Sequence, residues 1–326
     1  MRQSASRPAQ PVADPRWPAR LHVVTGKGGT GKTTVAAALA LALARGGHRT
    51  LLVEVEGRQG IAQLFDIPPL PYEERPIANT PDGGEVRALA VDAEEALLEY
   101  LELFYRLGRA GRALRRFGAI DFATTIAPGL RDILLTGKVK EATTRTVDGR
   151  RFYRAVVLDA PPTGRIGRFL NVTAEAARLA KVGPIKTQSE GVAAVLRSPM
   201  TAVHLVTLLE EMPVQETVDA AEELTALGLP VGKLIVNATQ PPLLAAERVS
   251  QAELRRGLAA ADLPTDRLTV AGLHAEAKAY AIRRRLQESL RVELADLDRP
   301  MVELPLLPEG VDRKALDLLA DALLAG

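Results

Sequence analysis

Residues 21–45 of the chain read LHVVTGKGGTGKTTVAAALALALAR, and this stretch decides the fold. A β-branched run is followed by a glycine-rich loop and then by an alanine- and leucine-rich run of helix-forming composition. In the loop, Gly26 is followed after four free positions by Gly31, Lys32 and Thr33, which is the pattern of a phosphate-binding loop. That pattern requires a strand before it and a helix after it, and the flanking runs predict both. The stretch therefore predicts a nucleotide-binding α/β domain.

The residue types of the loop suit a nucleoside triphosphate. Glycines let consecutive backbone N–H groups turn towards phosphate oxygens, and the N-terminus of the following helix adds partial positive charge. We expect Lys32 to reach the β- and γ-phosphates and the Thr33 hydroxyl to ligate Mg²⁺. The predicted nucleotide contacts are Gly26, Lys27, Gly28, Gly29, Thr30, Gly31, Lys32, Thr33 and Thr34.

Further short β-branched or leucine-rich runs alternate with helical patterns along the chain. This alternation indicates crossover connections, so we predict an α/β fold with a mostly parallel sheet between two layers of helices and with ligands at the carboxyl ends of the strands. The architecture expected is a three-layer P-loop NTPase. The additional strand runs begin at Leu51, Val86, Ala155, Ala202, Lys233 and Met301.

The gap between the strand runs at Val86 and Ala155 is too long for a simple crossover. Its apolar residues recur at helical spacing, so we predict a helical subdomain at about residues 92–150, inserted into a P-loop domain of residues 20–326. Its apolar stripes are typical of core, with a groove for a client protein as the alternative. The arginine-rich run at 106–116 is typical of a solvated face, with a partner or lipid surface as the alternative.

Composition excludes several classes of site. The 326 residues include no cysteine, so disulfides, thiolate zinc sites and cysteine nucleophiles are impossible, and the four histidines lack the spacing of zinc ligands. A formal charge of +2 gives no case for a nucleic-acid partner. Residues 1–19 lack the apolar core of a signal peptide and are interpreted as a disordered arm. Since the longest apolar run is about half a membrane span, we expect a cytoplasmic protein that reaches a membrane only through a partner.

Several segments resemble one family of ATPases. The loop GKGGTGKTT at 26–34 resembles the deviant Walker A signature of a branch of P-loop ATPases. Four more segments resemble the arsenite-pump and tail-anchored-protein-targeting ATPases, known as the ArsA type, and the similarity runs from residue 21 to about 310. These segments are PGLRDILL at 128–135, VVLDAPPTG at 156–164, IVN at 235–237 and LLPEG at 306–310.

The resemblance implies ATP and Mg²⁺ as ligands. Asp159 closes an apolar run where a Walker B acid would meet the Mg²⁺ shell, so Thr33 and Asp159 are the expected metal residues. Asn237 is expected to recognise adenine, although a strand-end asparagine is also a common turn former. The loop containing Pro308 and Glu309 is expected to close over the adenine.

In the family, an aspartate after the second strand positions the attacking water. Keeping the strand in register places Glu56 at that position, with Gly57 and Gln59 in place of proline and histidine. Glu54 is the rival, and both could instead be solvated acids at a strand end. The catalytic set implied by the resemblance is Lys27, Lys32 and Glu56, with Lys27 reaching across a dimer to the partner's nucleotide.

The resemblance also implies partners. We expect a homodimer or a heterodimer with a related ATPase, and a protein client or membrane-associated partner on the helical subdomain. The family's arsenite-binding cysteines and zinc pair have no counterpart, so we expect neither an arsenite site nor zinc. The function expected is a Mg²⁺-dependent ATPase that cycles between an ATP-bound dimer and an open state. A poorly hydrolysing regulatory or scaffold subunit is the alternative, and a small-molecule kinase lacks any signal for an acceptor pocket.

Overall fold

A computed structural model describes residues 15–105, 128–171, 184–242 and 249–326. The strands of the main sheet are β1 Leu21–Gly26, β2 Arg49–Glu54, β3 Arg75–Asn79, β4 Glu85–Ala90, β7 Ala155–Asp159, β8 Thr201–Thr207, β9 Val231–Thr239 and β10 Met301–Pro305, and a separate hairpin pairs β5 Thr146–Val147 with β6 Arg150–Arg151. The main sheet has the order β10-β9-β8-β1-β7-β2-β4-β3. Every neighbouring pair in it is parallel except β3 with β4.

Helices cover both faces of this sheet. They are α1 Lys32–Ala44, α2 Gly60–Leu64, α3 Ala93–Tyr105, α4 Pro128–Thr144, α5 Thr163–Leu170, α6 Pro184–Leu196, α7 Glu211–Ala226, α8 Gln251–Ala260, α9 Arg267–Ala295 and α10 Arg313–Ala325. One hydrophobic core packs α1, α2 and α10 against one face of the sheet. A second core packs the helices from α3 through α7, and the end of α9, against the opposite face. The predicted α/β class and mostly parallel sheet are confirmed.

The buried position of helix α1 explains why its sequence is apolar on all sides. The helix is buried between the sheet and α10, and every residue from Val35 to Ala44 is at most 5% exposed. Alanine at alternate positions lets the helix approach both neighbours closely. No helix among the described residues is both long enough and apolar enough to cross a bilayer, and this holds for the 29-residue α9 as well.

All seven predicted strand runs form strands, and the sequence analysis missed three others. β3 is a short antiparallel edge strand containing Pro76, and three of its five residues are exposed, so no apolar alternation marks it. β5 and β6 flank a turn at Asp148 and Gly149, both with positive φ. An Asp-Gly pair is a known hairpin signal, and it would have identified this one.

The region predicted as a helical subdomain is described in part. α3 and α4 are helical and pack on the same core as the sheet, through Leu97 and Tyr100 of α3 and Ile133 and Leu134 of α4. The arginine-rich run at 106–116 lies outside the described residues. The limits of the subdomain stay a prediction.

The expectation of a disordered arm reaching residue 19 is wrong for its last part. Trp17 is only 1% exposed, and its indole N–H donates to the carbonyl of Leu323 at 3.1 Å. The ring also meets His204 edge-on, with centroids 5.1 Å apart, and Lys233 lies over it. Proline and serine content therefore misled the assignment, because one tryptophan attaches this segment to the end of α10. Residues 1–14 lie outside the described part of the chain.

Trp17 covers a pair of buried histidines at the amino end of the sheet. His22 Nδ1 and His204 Nε2 lie 3.0 Å apart, His22 Nε2 is 3.0 Å from the carbonyl of Ala19, and the Lys233 N–H donates to His204 Nδ1. This chain of bonds fixes both rings as neutral, with each Nε2 carrying the proton. Burial lowers the pKa of His22 to about 4 and holds the pKa of His204 well below its ordinary value.

We expect this histidine pair to make the folded state less stable as the pH falls below 6.5. The unfolded chain binds protons on both histidines around that pH, whereas the folded chain binds them only at much lower pH. The free energy of unfolding should therefore decrease by up to about 1.4 kcal/mol per pH unit for each histidine between roughly pH 6 and 4. Urea unfolding from pH 7.5 to 5 measures this slope. The variant His274→Gln, at a half-buried position away from this pair, should keep it, and a flat profile for the wild-type chain would contradict the assignment of neutral rings.

Candidate functional site

The glycine-rich loop lies between β1 and α1, at the carboxyl edge of the sheet. A Cβ on Gly26 would lie 2.1 Å from the carbonyl oxygen of Val206, so β8 leaves no space for any other residue there. Gly31 has a φ of +87°, and a Cβ on it would lie 2.4 Å from Asn237 Nδ2. A Cβ on Gly28 would meet no atom within 4 Å, so the open side of the loop has room for a phosphate.

The backbone carbonyl of Lys27 organises the inside of this loop. It accepts hydrogen bonds from the Thr30 hydroxyl at 2.9 Å and from Lys32 Nζ at 3.2 Å. Burial lowers the pKa of Lys32, and the nearby carboxylates of Asp159 and Glu56 oppose that shift. Lys32 is therefore a cation at the N-terminus of α1, aimed at the loop, where two acids help to keep it charged.

Asp159 ends β7 beside the start of α1. Its Oδ2 accepts a hydrogen bond from the Thr33 hydroxyl at 2.7 Å, while its Oδ1 is buried and has no hydrogen-bond partner. Burial raises the pKa of Asp159 to about 6; the Thr33 hydrogen bond opposes the shift and the neighbouring Glu54 adds to it. A buried carboxylate oxygen without a partner is costly and indicates a missing cation or water.

This pair of side chains fits Mg²⁺. The ion prefers hard oxygen ligands, takes few of them from protein and completes its shell with water and phosphate oxygens. Thr33 and Asp159 supply one hydroxyl and one carboxylate, and the unpartnered Oδ1 is the atom that a cation would satisfy. In the described ranges, no cluster of three or more histidine, aspartate or glutamate side chains forms another candidate metal centre.

The two acids after β2 have different surroundings. Glu54 is 3% exposed and accepts the backbone N–H groups of Gly60 at 3.4 Å and Ile61 at 3.2 Å, so its carboxylate caps α2. Glu56 is 16% exposed and pairs with Arg165 at 3.1 Å and with Arg58 at 3.4 Å. The geometry therefore favours Glu56 over Glu54 as the acid available for chemistry, and Glu54 has a structural role.

Glu56 lines a small polar pocket of about 200 Å³ beside the phosphate-binding loop. Pro161, from the turn after β7, and Arg165 of α5 line it, together with Arg131 and Asp132 of α4. Helix α4, which belongs to the predicted helical subdomain, therefore lines the same pocket as Glu56.

Lys27 points away from its own loop. Its ammonium group forms an ion pair with Glu216 of α7, and the second carboxylate oxygen of Glu216 accepts the Thr163 hydroxyl at 3.1 Å. Thr163 is the first residue of α5, directly after the sequence Ala160-Pro161-Pro162 that follows β7. Sequence reasoning missed Glu216, because 189 positions separate it from Lys27 and its helix carries several other glutamates.

Comparison with known proteins identifies the family of the chain. The family model described as anion-transporting ATPase matches residues 19–188. ATPase BagA of Mycobacterium tuberculosis strain ATCC 25618 / H37Rv is 53% identical over 322 residues, which cover 94% of each chain. The chain belongs to the ArsA-type ATPase family. Arsenical pump-driving ATPases of Escherichia coli and Acidiphilium multivorum are 28% identical over 280 and 274 residues, covering 75% of this chain and 45% of each of theirs.

As an ArsA-type ATPase, the chain is an ATP hydrolase, and the loop at 26–34 is the part of the described structure suited to the triphosphate. The fold predicted from the resemblance is confirmed together with the family. The roles of the individual site residues stay predictions.

The expected adenine contacts lie on the other side of the loop. Asn237 sits near the end of β9 and donates its amide to the carbonyl of Thr30 at 2.9 Å, so an adenine amino group would be accepted by its Oδ1. Pro308 and Glu309 lie in an exposed loop after β10, and the backbone of Leu306 attaches the start of this loop to β9. Both sets border the same edge of the sheet.

Gln59 is the residue that the resemblance places where the family has a histidine. Its side chain bonds both backbone groups of Leu70, accepting the N–H at 2.7 Å and donating to the carbonyl at 3.1 Å. Its backbone adopts a left-handed conformation with φ 56°, directly before α2. Gln59 thus holds the loop after α2 in place. Glu56 is the acid of this segment that lines the pocket.

Proposed function

We propose that this ATPase is Mg²⁺-dependent and that ATP binding pairs it with a second copy or a related ATPase, and that hydrolysis separates the pair. The state of the pair would control binding of a protein partner or membrane-protein client. The observation that carries the proposal is that one sheet edge brings together a phosphate-binding loop, a metal-ready Thr33–Asp159 pair, the acid Glu56 and a second lysine, Lys27.

Binding of ATP would be the task of the loop and of Lys32. Backbone N–H groups of residues 28–33 would face the phosphates, and Lys32 would exchange the Lys27 carbonyl for phosphate oxygens. Thr33 and Asp159 would hold Mg²⁺, which when bound neutralises charge on the phosphates. Asn237 would orient the adenine. The nucleotide specificity would therefore come from β9 and the triphosphate affinity from the loop.

Hydrolysis would depend on Glu56. A carboxylate at the edge of the pocket can accept a hydrogen bond from water and orient it for attack on the γ-phosphate. In this structure Glu56 is paired with Arg165, so that ion pair has to open or shift before the acid can hold a water molecule. Arg165 belongs to α5, which directly follows the DAPP sequence at 159–162. A movement of that sequence on binding of the γ-phosphate would therefore also move Arg165.

Pairing would use Lys27. A lysine at the first variable position of the loop can place a positive charge on the phosphates of a facing subunit, where negative charge develops during phosphoryl transfer. In a two-fold symmetric pair each subunit would supply its Lys27 to the other. Release of phosphate would remove the charge that holds the two lysines, and the pair would open.

The client or partner would be sensed through α4. Arg131 and Asp132 of this helix line the same pocket as Glu56 and Pro161. A movement of the segments that carry Glu56 and Pro161 would therefore act on α4 directly. We place the protein in the cytoplasm, with any membrane contact made through this partner. The alternative is an ATP-binding scaffold with poor hydrolysis, favoured by the Glu56–Arg165 ion pair and by glutamine at position 59.

A phosphate-release assay separates the two functions. The purified chain is mixed with ATP and Mg²⁺, and steady release of phosphate that stops when Mg²⁺ is chelated supports the enzyme. Tight ATP binding with no release beyond one equivalent supports the scaffold. Adding a related ATPase from the same cell would then show whether the chain needs a different partner.

A further inference from the structure

We propose that Glu216 is a positioning residue that holds Lys27 within its own subunit until ATP and a partner's phosphates replace it. The inference rests on the proposed pairing of two ATP-bound subunits. It assigns to α7 a role in setting how much ATP is needed for that pairing. Glu216 acts through Lys27 and does not itself touch the nucleotide.

The geometry joins three functional segments at one carboxylate. One oxygen of Glu216 pairs with the ammonium group of Lys27, from the phosphate-binding loop, and the other accepts the hydroxyl of Thr163, from the start of α5. These bonds, the Lys27 contact first, hold the pKa of Glu216 below its ordinary value. Glu216 is thus an ionised acceptor shared between the loop and the switch helix.

The Lys27–Glu216 ion pair is too exposed to contribute much to the folding stability, so it can break without unfolding the protein. The two side chains are 31% and 33% exposed, and ion pairs of that exposure contribute little to folding stability. α7 is held on the sheet by buried residues of its other face, including Val214, Thr217 and Leu224. Loss of the Glu216 charge should therefore leave the fold intact and change only what Lys27 contacts.

A lysine cannot satisfy two competing anions at full strength. To reach a partner's phosphates, Lys27 has to leave Glu216, and ATP supplies the competing negative charge. Thr163 shares the same carboxylate, so a movement of α5 upon γ-phosphate binding would withdraw one of its two partners. The ion pair within the subunit therefore opposes dimer formation, and each subunit of a symmetric pair has to break one such contact.

The test compares four chains: wild type, Glu216→Gln, Lys27→Ala and the double variant. Light scattering at fixed protein concentration and increasing ATP with Mg²⁺ gives the ATP concentration of half-maximal dimer formation. We expect Glu216→Gln to lower this concentration by about two- to fivefold, because each subunit no longer breaks an exposed ion pair. Glu222→Gln, at an exposed position of the same helix, should match the wild type, and thermal unfolding should be unchanged in both.

The Lys27→Ala background distinguishes an effect through Lys27 from a general charge effect. If Glu216 acts through Lys27, adding Glu216→Gln to Lys27→Ala has no further effect on ATP binding or dimer formation. An equal effect with and without Lys27 would overturn the inference, and so would an unchanged or higher ATP requirement in Glu216→Gln alone. A wild-type chain that stays monomeric at saturating ATP, alone and with a related ATPase, would instead refute the proposed pairing and this inference together.

Discussion

The Lys32→Ala chain should fold like the wild type and release phosphate from ATP at least about a hundredfold more slowly. Lys32 is the loop cation whose ammonium group lies 3.2 Å from the Lys27 carbonyl, where the triphosphate would enter. Removing it takes away the main positive charge that would face the β- and γ-phosphates, and with it a cation close to Asp159 and Glu56. Binding should weaken for the same reason, so both the half-saturating ATP concentration and the maximal rate should change.

The control for this prediction is Lys314→Ala, an exposed lysine next to the start of α10. It removes the same charge and the same number of atoms from a residue outside the loop, and its rate should equal that of the wild type. Hydrolysis by Lys32→Ala within a fewfold of wild type would show that the phosphates bind elsewhere. A comparison of thermal unfolding curves shows whether any loss of rate reflects misfolding.

Glu56→Gln should retain ATP binding and lose hydrolysis, by about a hundred- to ten-thousandfold. Glutamine has nearly the same shape and can still contact Arg165, yet it lacks the carboxylate that orients water. ATP-bound protein should accumulate, and single-turnover measurements with rapid separation of bound nucleotide would show intact ATP. Near-normal turnover would mean that the water is positioned by another group.

The matched variant Glu54→Gln should do the opposite. Glu54 is buried and its carboxylate accepts two N–H groups at the start of α2, so a neutral side chain weakens that cap. We expect a lower unfolding temperature with a smaller loss of catalytic rate. If Glu54→Gln abolished hydrolysis in a stable protein and Glu56→Gln did not, the two roles would have to be exchanged.

The fold was predictable from sequence because its elements carry strong local signals. Buried parallel strands appear as β-branched runs, and the loop at 26–34 indicates where the ligand edge of the sheet lies. Edge strand β3 lacks such a run, because an exposed edge containing Pro76 needs no apolar alternation. Trp17 was assigned to an arm for a similar reason, since its partner in α10 is 306 positions away.

The site was predictable only for residues inside recognisable segments. Lys32, Thr33 and Asp159 belong to segments with a fixed spacing, and the structure brings them together. The choice between Glu54 and Glu56 needed coordinates, because both acids lie at the end of the same strand and only their burial and their partners separate them. Glu216 carried no signal at all, since a glutamate on an amphipathic helix is ordinary until its distance to Lys27 is known.

Mixing two inactive variants tests the account's central claim most directly. In the proposed pair, Lys27→Ala inactivates the site of the partner subunit, whereas Lys32→Ala inactivates the site of the subunit that carries it. A mixed dimer therefore retains one complete site, made of Lys32 from the Lys27→Ala chain and Lys27 from the Lys32→Ala chain. If the two variants pair at random, half of the pairs are mixed and each has one of two sites, so at saturating ATP the equimolar mixture should recover up to about a quarter of the wild-type rate of phosphate release. A mixture no more active than its components would contradict the shared site.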